Sequence, residues 1–116
     1  MAKIGYRHTT IGSNLYFVIT DEANKHMRSF DYTFVVYVAL DWIDYTLIAT
    51  ETDDYLYEYM LPNMVDGTYI AEVFLQTGSL PLLTDDKLGQ SSFNIKDNDF
   101  FNLTDASVDV SNIGSW

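Results

Sequence analysis

Apolar positions along the chain fall in short blocks rich in valine, isoleucine, tyrosine, phenylalanine and threonine, separated by polar turns. That pattern predicts strands rather than helices. Residues 15–20 (Leu-Tyr-Phe-Val-Ile-Thr) are apolar without a break and are bounded by Gly12-Ser13-Asn14 and Asp21-Glu22-Ala23-Asn24, which predicts a strand covered on both faces. A loop is expected over 24–28, followed by a second continuous run over 32–40 that is expected as a buried strand because of its Val, Tyr, Phe and Thr content. From residue 45 a period of two sets Tyr45, Leu47 and Ala49 against Thr46, Ile48 and Thr50. Glu51-Thr52-Asp53-Asp54 is expected to turn the chain into a strand whose buried face carries Tyr55, Tyr57 and Tyr59 and which stops at Pro62. Asp66-Gly67 turns into residues 68–76, where Tyr69, Ala71, Val73 and Leu75 alternate with Ile70, Glu72, Phe74 and Gln76. Residues 77–89 are expected as a long polar loop, and 92–96 as a last core strand with Phe93 and Ile95 inward, ended by Asp97-Asn98-Asp99.

Short strands at a spacing of roughly 8 to 12 residues, with no amphipathic helix of about ten residues or more, point to an all-β fold. The expected form is an antiparallel immunoglobulin-like β-sandwich over residues 1–99 with a C-terminal arm over 100–116; a small barrel is the alternative. The 116 residues fit one domain, and 47% apolar content is enough to bury a core at that length. With 17 acidic against 6 Lys and Arg, the net charge of −11 argues against nucleic acid as a partner. The chain has no cysteine, which removes disulfides, thiol catalysis and cysteine-ligated zinc. No apolar run has the length of a membrane span and no export signal is read at the N-terminus, so neither a membrane partner nor secretion is expected.

Candidate chemistry is sparse. His8 and His26 lack the spacing of a metal pair, and Ser91 and Ser92 follow Gly89 without a nucleophile elbow. The carboxylates Asp53-Asp54, Asp85-Asp86 and Asp97 with Asp99 are the oxygens calcium would take, yet none completes a calcium loop. Aspartates in turns commonly bond their own backbone, so no catalytic residue, metal or cofactor is expected, with calcium at these pairs as the alternative. Asn102-Leu103-Thr104 fits a glycosylation sequon, which carries little weight without export. Nine tyrosines are many for this length. Most are expected in the core, but so much aromatic and aliphatic surface without a covering helix predicts exposed apolar area, which usually means contact with another protein. The residues expected to make that contact are Phe100, Phe101, Leu103 and Trp116 of the arm, packed on a neighbour or on the domain's own edge, and Leu80, Pro81 and Leu82 of the long loop.

As an ordered set, Leu15-Tyr16-Phe17-Val18, residues 41–51 (Asp-Trp-Ile-Asp-Tyr-Thr-Leu-Ile-Ala-Thr-Glu), 57–62, Gly67-Thr68-Tyr69, 73–81 and Thr84-Asp85-Asp86 resemble a family of small β-sandwich proteins encoded in tailed-phage genomes and prophages near virion genes. The resemblance runs from about residue 4 to residue 99 and is strongest where the Gly-Thr-Tyr strand leads into Gln76-x-Gly78-x-x-Pro81. It departs where Asn94 to Asp97 stands in place of a tryptophan, and in the acidic extension beyond. It implies a non-enzymatic virion structural protein, made in the host cytoplasm and found in the virion. The leading form is a head decoration or cement protein that binds the major capsid protein as a homo-oligomer, a trimer on a local three-fold being the expected symmetry. A tail, collar or fibre adaptor is the alternative. A carbohydrate-binding module that uses Trp42 with Tyr45, and an enzyme that uses the Asp pairs, are the competitors from other classes.

Overall fold

The computed structural model describes residues 3–97, with the backbone of residues 99–100 and 107–109. In chain order the strands are β1 (Lys3–Arg7), β2 (Asn14–Asp21), β3 (His26–Met27), β4 (Phe34–Val35), β5 (Leu47–Ile48), β6 (Thr50–Asp53), β7 (Leu56–Met60), β8 (Gly67–Gln76), β9 (Asp86–Lys96), β10 (Asp99–Phe100) and β11 (Ser107–Asp109). A 3-10 segment, Ala39–Tyr45, kinked at Asp41, lies between β4 and β5. The protein is therefore all-β, in two sheets. One runs β11-β1-β7-β6, and the other runs β10-β9-β8-β2-β3-β4 with β5 also paired to β2. Every described pairing is antiparallel except that of β11 with β1, which is parallel with Ile4 opposite Val108.

The continuous apolar run of β2 is explained by its two faces. Leu15, Phe17 and Ile19 point into a core shared by both sheets, with Ile4 and Tyr57 from the first and Tyr69, Ala71, Val73, Phe93 and Ile95 from the second. Tyr16 and Val18 point the other way into a smaller cluster with Trp42, Tyr45 and Phe74. Alternating side chains on a strand need both faces covered before five consecutive apolar residues can all be buried. Leu15 to Ile19 are all at most 2% exposed. The two-residue periods of β8 and β9 come out as read except near the end of β8: Tyr69, Ala71 and Val73 are buried, but Phe74 is also buried on the outer face and Leu75 only half-buried, while Phe93 and Ile95 are inward and Ser92, Asn94 and Lys96 are exposed.

Four expectations are corrected. The run 32–40 is not a buried strand: only Phe34 and Val35 pair, and Val36 and Leu40 are 71% and 95% exposed. The chain leaves the sheet because the Val38 N–H donates to Tyr45 Oη at 3.0 Å and the Asp41 N–H to the Val38 carbonyl at 2.9 Å, which turns the segment over the outer face of β2. The loop after β8 covers only 77–85, because β9 starts at Asp86 and takes a register shift opposite Val73 and Phe74. Such a shift lets a polar stretch stay in the ladder. Residues 50–53 pair as β6, so the turn falls at Asp54-Tyr55, and Tyr55 is exposed with φ 71° instead of sharing the buried face of Tyr57. Thr46 is buried with its neighbours Tyr45 and Leu47, so the alternation read from residue 45 starts only at Leu47. Beyond residue 99, the backbone of β11 pairs with the edge of β1.

Candidate protein-docking surface

The covering segment is held by one buried polar knot. Tyr16 points out of β2, and its hydroxyl donates to Asp85 Oδ2 at 2.7 Å, with the Leu82 carbonyl 3.3 Å away. The Trp42 Nε1–H donates to the same Tyr16 oxygen at 3.1 Å. The second acceptor role of Asp85 Oδ2 is filled by the Leu82 N–H at 2.9 Å. Burial, with the carboxylate beside it, pushes the Tyr16 hydroxyl far above the usual phenol range, so it stays a protonated donor. Around the knot the rings close up: Phe74 stacks on Tyr16 at 5.4 Å, and Trp42 meets Phe74 edge-on at 5.2 Å. Three segments far apart in sequence are thereby fixed at one point on the outer face of the second sheet.

A second clamp holds the start of the covering segment. The His26 ring lies 4.6 Å from Tyr37 and 5.1 Å from Tyr45. Its Nδ1 is buried without a hydrogen-bond partner, and burial lowers the imidazole below its ordinary value. The hairpin loop between β3 and β4 is fixed by Arg28, which is paired with Asp31, bonded to Thr33 Oγ1 at 3.0 Å and stacked over Phe30 at 4.9 Å. The Ser29 N–H donates to the Asp44 carbonyl at 2.7 Å, which joins that loop to the end of the 3-10 segment.

Outward from these clamps the surface is apolar. Seven of the fifteen large hydrophobic side chains that are exposed among the described residues fall within residues 30–43: Phe30, Tyr32, Val36, Tyr37, Val38, Leu40 and Ile43. Three more, Leu80, Leu82 and Leu83, sit on the loop that Asp85 ties to the same knot. Scattered exposed hydrophobics are ordinary, whereas this density on anchored backbone makes the segment a candidate contact surface.

The candidate residues read from the sequence divide accordingly. Leu80 and Leu82 are exposed and Pro81 is half-buried, all on this surface. Phe100 pairs through its backbone with Ile95, while its side chain and Phe101, Leu103 and Trp116 lie outside the described residues, as does the sequon at Asn102. Trp42 and Tyr45 are corrected: at 8% and 1% exposure they are the inside of the knot, and they offer no platform to a sugar. Asp85 is likewise buried, with Oδ2 already accepting from the Tyr16 hydroxyl and the Leu82 N–H. Asp53 accepts from the Asp54 N–H at 2.8 Å, and the Asp97 N–H donates to Asp66. Among the described residues no three His, Asp or Glu side chains are placed to hold a metal ion. Ser91 is buried, with its hydroxyl on the Ser92 carbonyl, and His8 packs against Tyr6 and Tyr57. No described helix is long and apolar enough to cross a membrane.

The sequence reading missed the exposure of Val36 and Leu40 because it buried residues 32–40 in a strand, and it did not single out Ile43. The signal that could have found them is Asp41 and Asp44 flanking Trp42, which breaks the strand pattern just after Leu40. Compared with protein-family models, with curated proteins and with solved structures, the chain matches none.

Proposed function

We propose that this protein is a non-enzymatic virion structural protein of a tailed phage or prophage, a head decoration or cement protein that docks on the major capsid protein through the apolar surface of residues 30–43. The observation that carries the reading is the exposure of Leu40, Ile43, Val36 and Phe30 on backbone held in place by Trp42, Tyr45 and Arg28. A docking surface that is already ordered loses little entropy on binding, and repetition on a symmetric shell multiplies a modest contact by avidity. The charge of −11 suits a protein kept soluble at high copy before assembly. The two sheets are read as the layers of an immunoglobulin-like sandwich, supported by the apolar core to which both contribute. The resemblance to small phage β-sandwich proteins supplies the assembly; the apolar surface supplies the contact.

A tail, collar or fibre adaptor is the second reading, favoured by the exposed loop leucines 80, 82 and 83, which widen the surface beyond one segment. The test is cosedimentation of the purified chain with heads and with tails of the encoding phage, wild type against Leu40→Asp with Ile43→Asp. Saturable binding to heads that the double variant loses supports the decoration reading, and binding to tails alone supports the adaptor. Binding to neither would refute both.

A further inference from the structure

The second sheet ends at β4, and no described strand pairs with its outer side. Hydrogen bonding alternates along an antiparallel pair. The Arg28 N–H donates to the Thr33 carbonyl at 2.9 Å, so Thr33 and Val35 face β3, and the backbone groups of Phe34 and Val36 face the open edge. The alternation continues past the paired residues: Tyr37 stacks on His26 on the outer face with Val35, and Val38 is still extended at φ −129°, ψ 118°. The outward-facing run stops there, since the Val38 N–H is taken by Tyr45 Oη.

Natural sheets protect open edges with charges, prolines or bulges. The edge strand of the first sheet follows that rule, since β6 carries Glu51 and Asp53 and a register shift between them. The β4 edge does not. Residues 33–40 (Thr-Phe-Val-Val-Tyr-Val-Ala-Leu) contain no charge and no proline in a chain of net charge −11, and Val36 is 71% exposed. Two acidic copies can approach closely only where neither presents carboxylates, and this edge is such a place. What satisfies a row of free N–H and C=O groups is another strand, and an antiparallel copy of the same strand is self-complementary about a two-fold axis.

We propose that the protein forms a two-fold dimer in which the β4 edges of two copies pair antiparallel, with Val35 opposite Val35 and Phe34 opposite Val36 of the second copy. In that register the Phe34 N–H donates to the Val36 carbonyl across the axis and the Val36 N–H to the Phe34 carbonyl, and the two-fold repeats both bonds. The second sheets of the two copies become one continuous sheet. Val36 side chains lie on the face of Phe34, and the Val35 pair meets on the face that carries Tyr37. The symmetry differs from the three-fold expected on a capsid, and the contact depends on the open edge alone, whatever the virion role.

The test is the mass of the full chain in solution by light scattering over a wide concentration range, together with that of Val36→Pro and Val36→Lys. Val36→Pro deletes an edge donor in each copy while leaving the β3–β4 bonds in place. Loss of two hydrogen bonds should raise the dimer dissociation constant about thirty-fold. Val36→Lys is at an exposed site and keeps the fold if the proline variant does not; it sets like charges across the axis. Twice the 13.3 kDa chain mass for the wild type, falling to the single-chain mass in a folded variant, is the expected result. A wild type that stays a monomer, a trimer, or a dimer unaffected by both variants would overturn the proposal.

Discussion

Replacing Tyr16 by phenylalanine removes one oxygen and keeps the ring that stacks on Phe74, so the perturbation isolates the polar knot. That oxygen accepts from Trp42 Nε1–H and donates to Asp85 Oδ2. Its loss leaves the indole N–H without its acceptor in a residue only 8% exposed, at a cost of about 1–3 kcal/mol for a buried unsatisfied donor. Asp85 keeps the Leu82 N–H but loses a hydrogen bond to its carboxylate, a type worth about 1.5–3 kcal/mol. Because Asp85 lies at the end of a surface loop and can rehydrate, the lower end applies to it, and the sum is about 3 kcal/mol. That is a large share of the roughly 5–15 kcal/mol by which domains are stable. The assay is urea unfolding followed by tryptophan fluorescence, with Asp85→Asn and the double variant completing a cycle. The two residues share one bond, so the cycle should give a coupling of about 1 kcal/mol or more. A Tyr16→Phe midpoint that matches wild type, with an unchanged slope, would show that the knot does not hold the surface and would refute the reasoning.

Three further outcomes are expected. His26 is held neutral by burial, so the unfolded chain takes up a proton that the folded one resists; stability is full above the ordinary imidazole pKa of about 6.5 and falls as the pH drops below it. Urea midpoints between pH 7.5 and 5 should show this slope, and His26→Phe should flatten it. Glu58 is held low by its bonds from Thr52 and Lys3, so its contribution is present above about pH 4.5 and is lost only in more acidic solution. Thr52→Val should remove part of that acid-side slope and leave the His26 window alone. Leu15→Ala opens the shared core at a residue 2% exposed and should cost about 2–5 kcal/mol in the same unfolding assay.

The strands were legible where one rule decided them. β8 up to Val73 and the end of β9 alternate because one side meets the shared core and the other is wetter, whereas Phe74 of β8 is buried on that other side under the covering segment. The unbroken run of β2 correctly announced two covered faces, although nothing in the sequence says what covers them. The cover is a 3-10 segment held by contacts from Tyr16 to Trp42, 26 residues away, and to Asp85, 69 residues away. Local pattern cannot encode such separations. Residues 32–40 were misjudged for a related reason: a β-branched run reads the same whether its side chains face a core or an open edge. Exposed apolar area was therefore anticipated in kind, while its location came only from the way the chain leaves the sheet after Val35.

The most direct test of the proposed docking role is amide hydrogen exchange on the full chain, free and bound to purified tailed-phage heads. Protection gained over residues 37–43 and at the 79–85 loop, with little change along β7, is the predicted result. Binding that protects β6 and β7 while the amides of 37–43 exchange as in the free protein would contradict it.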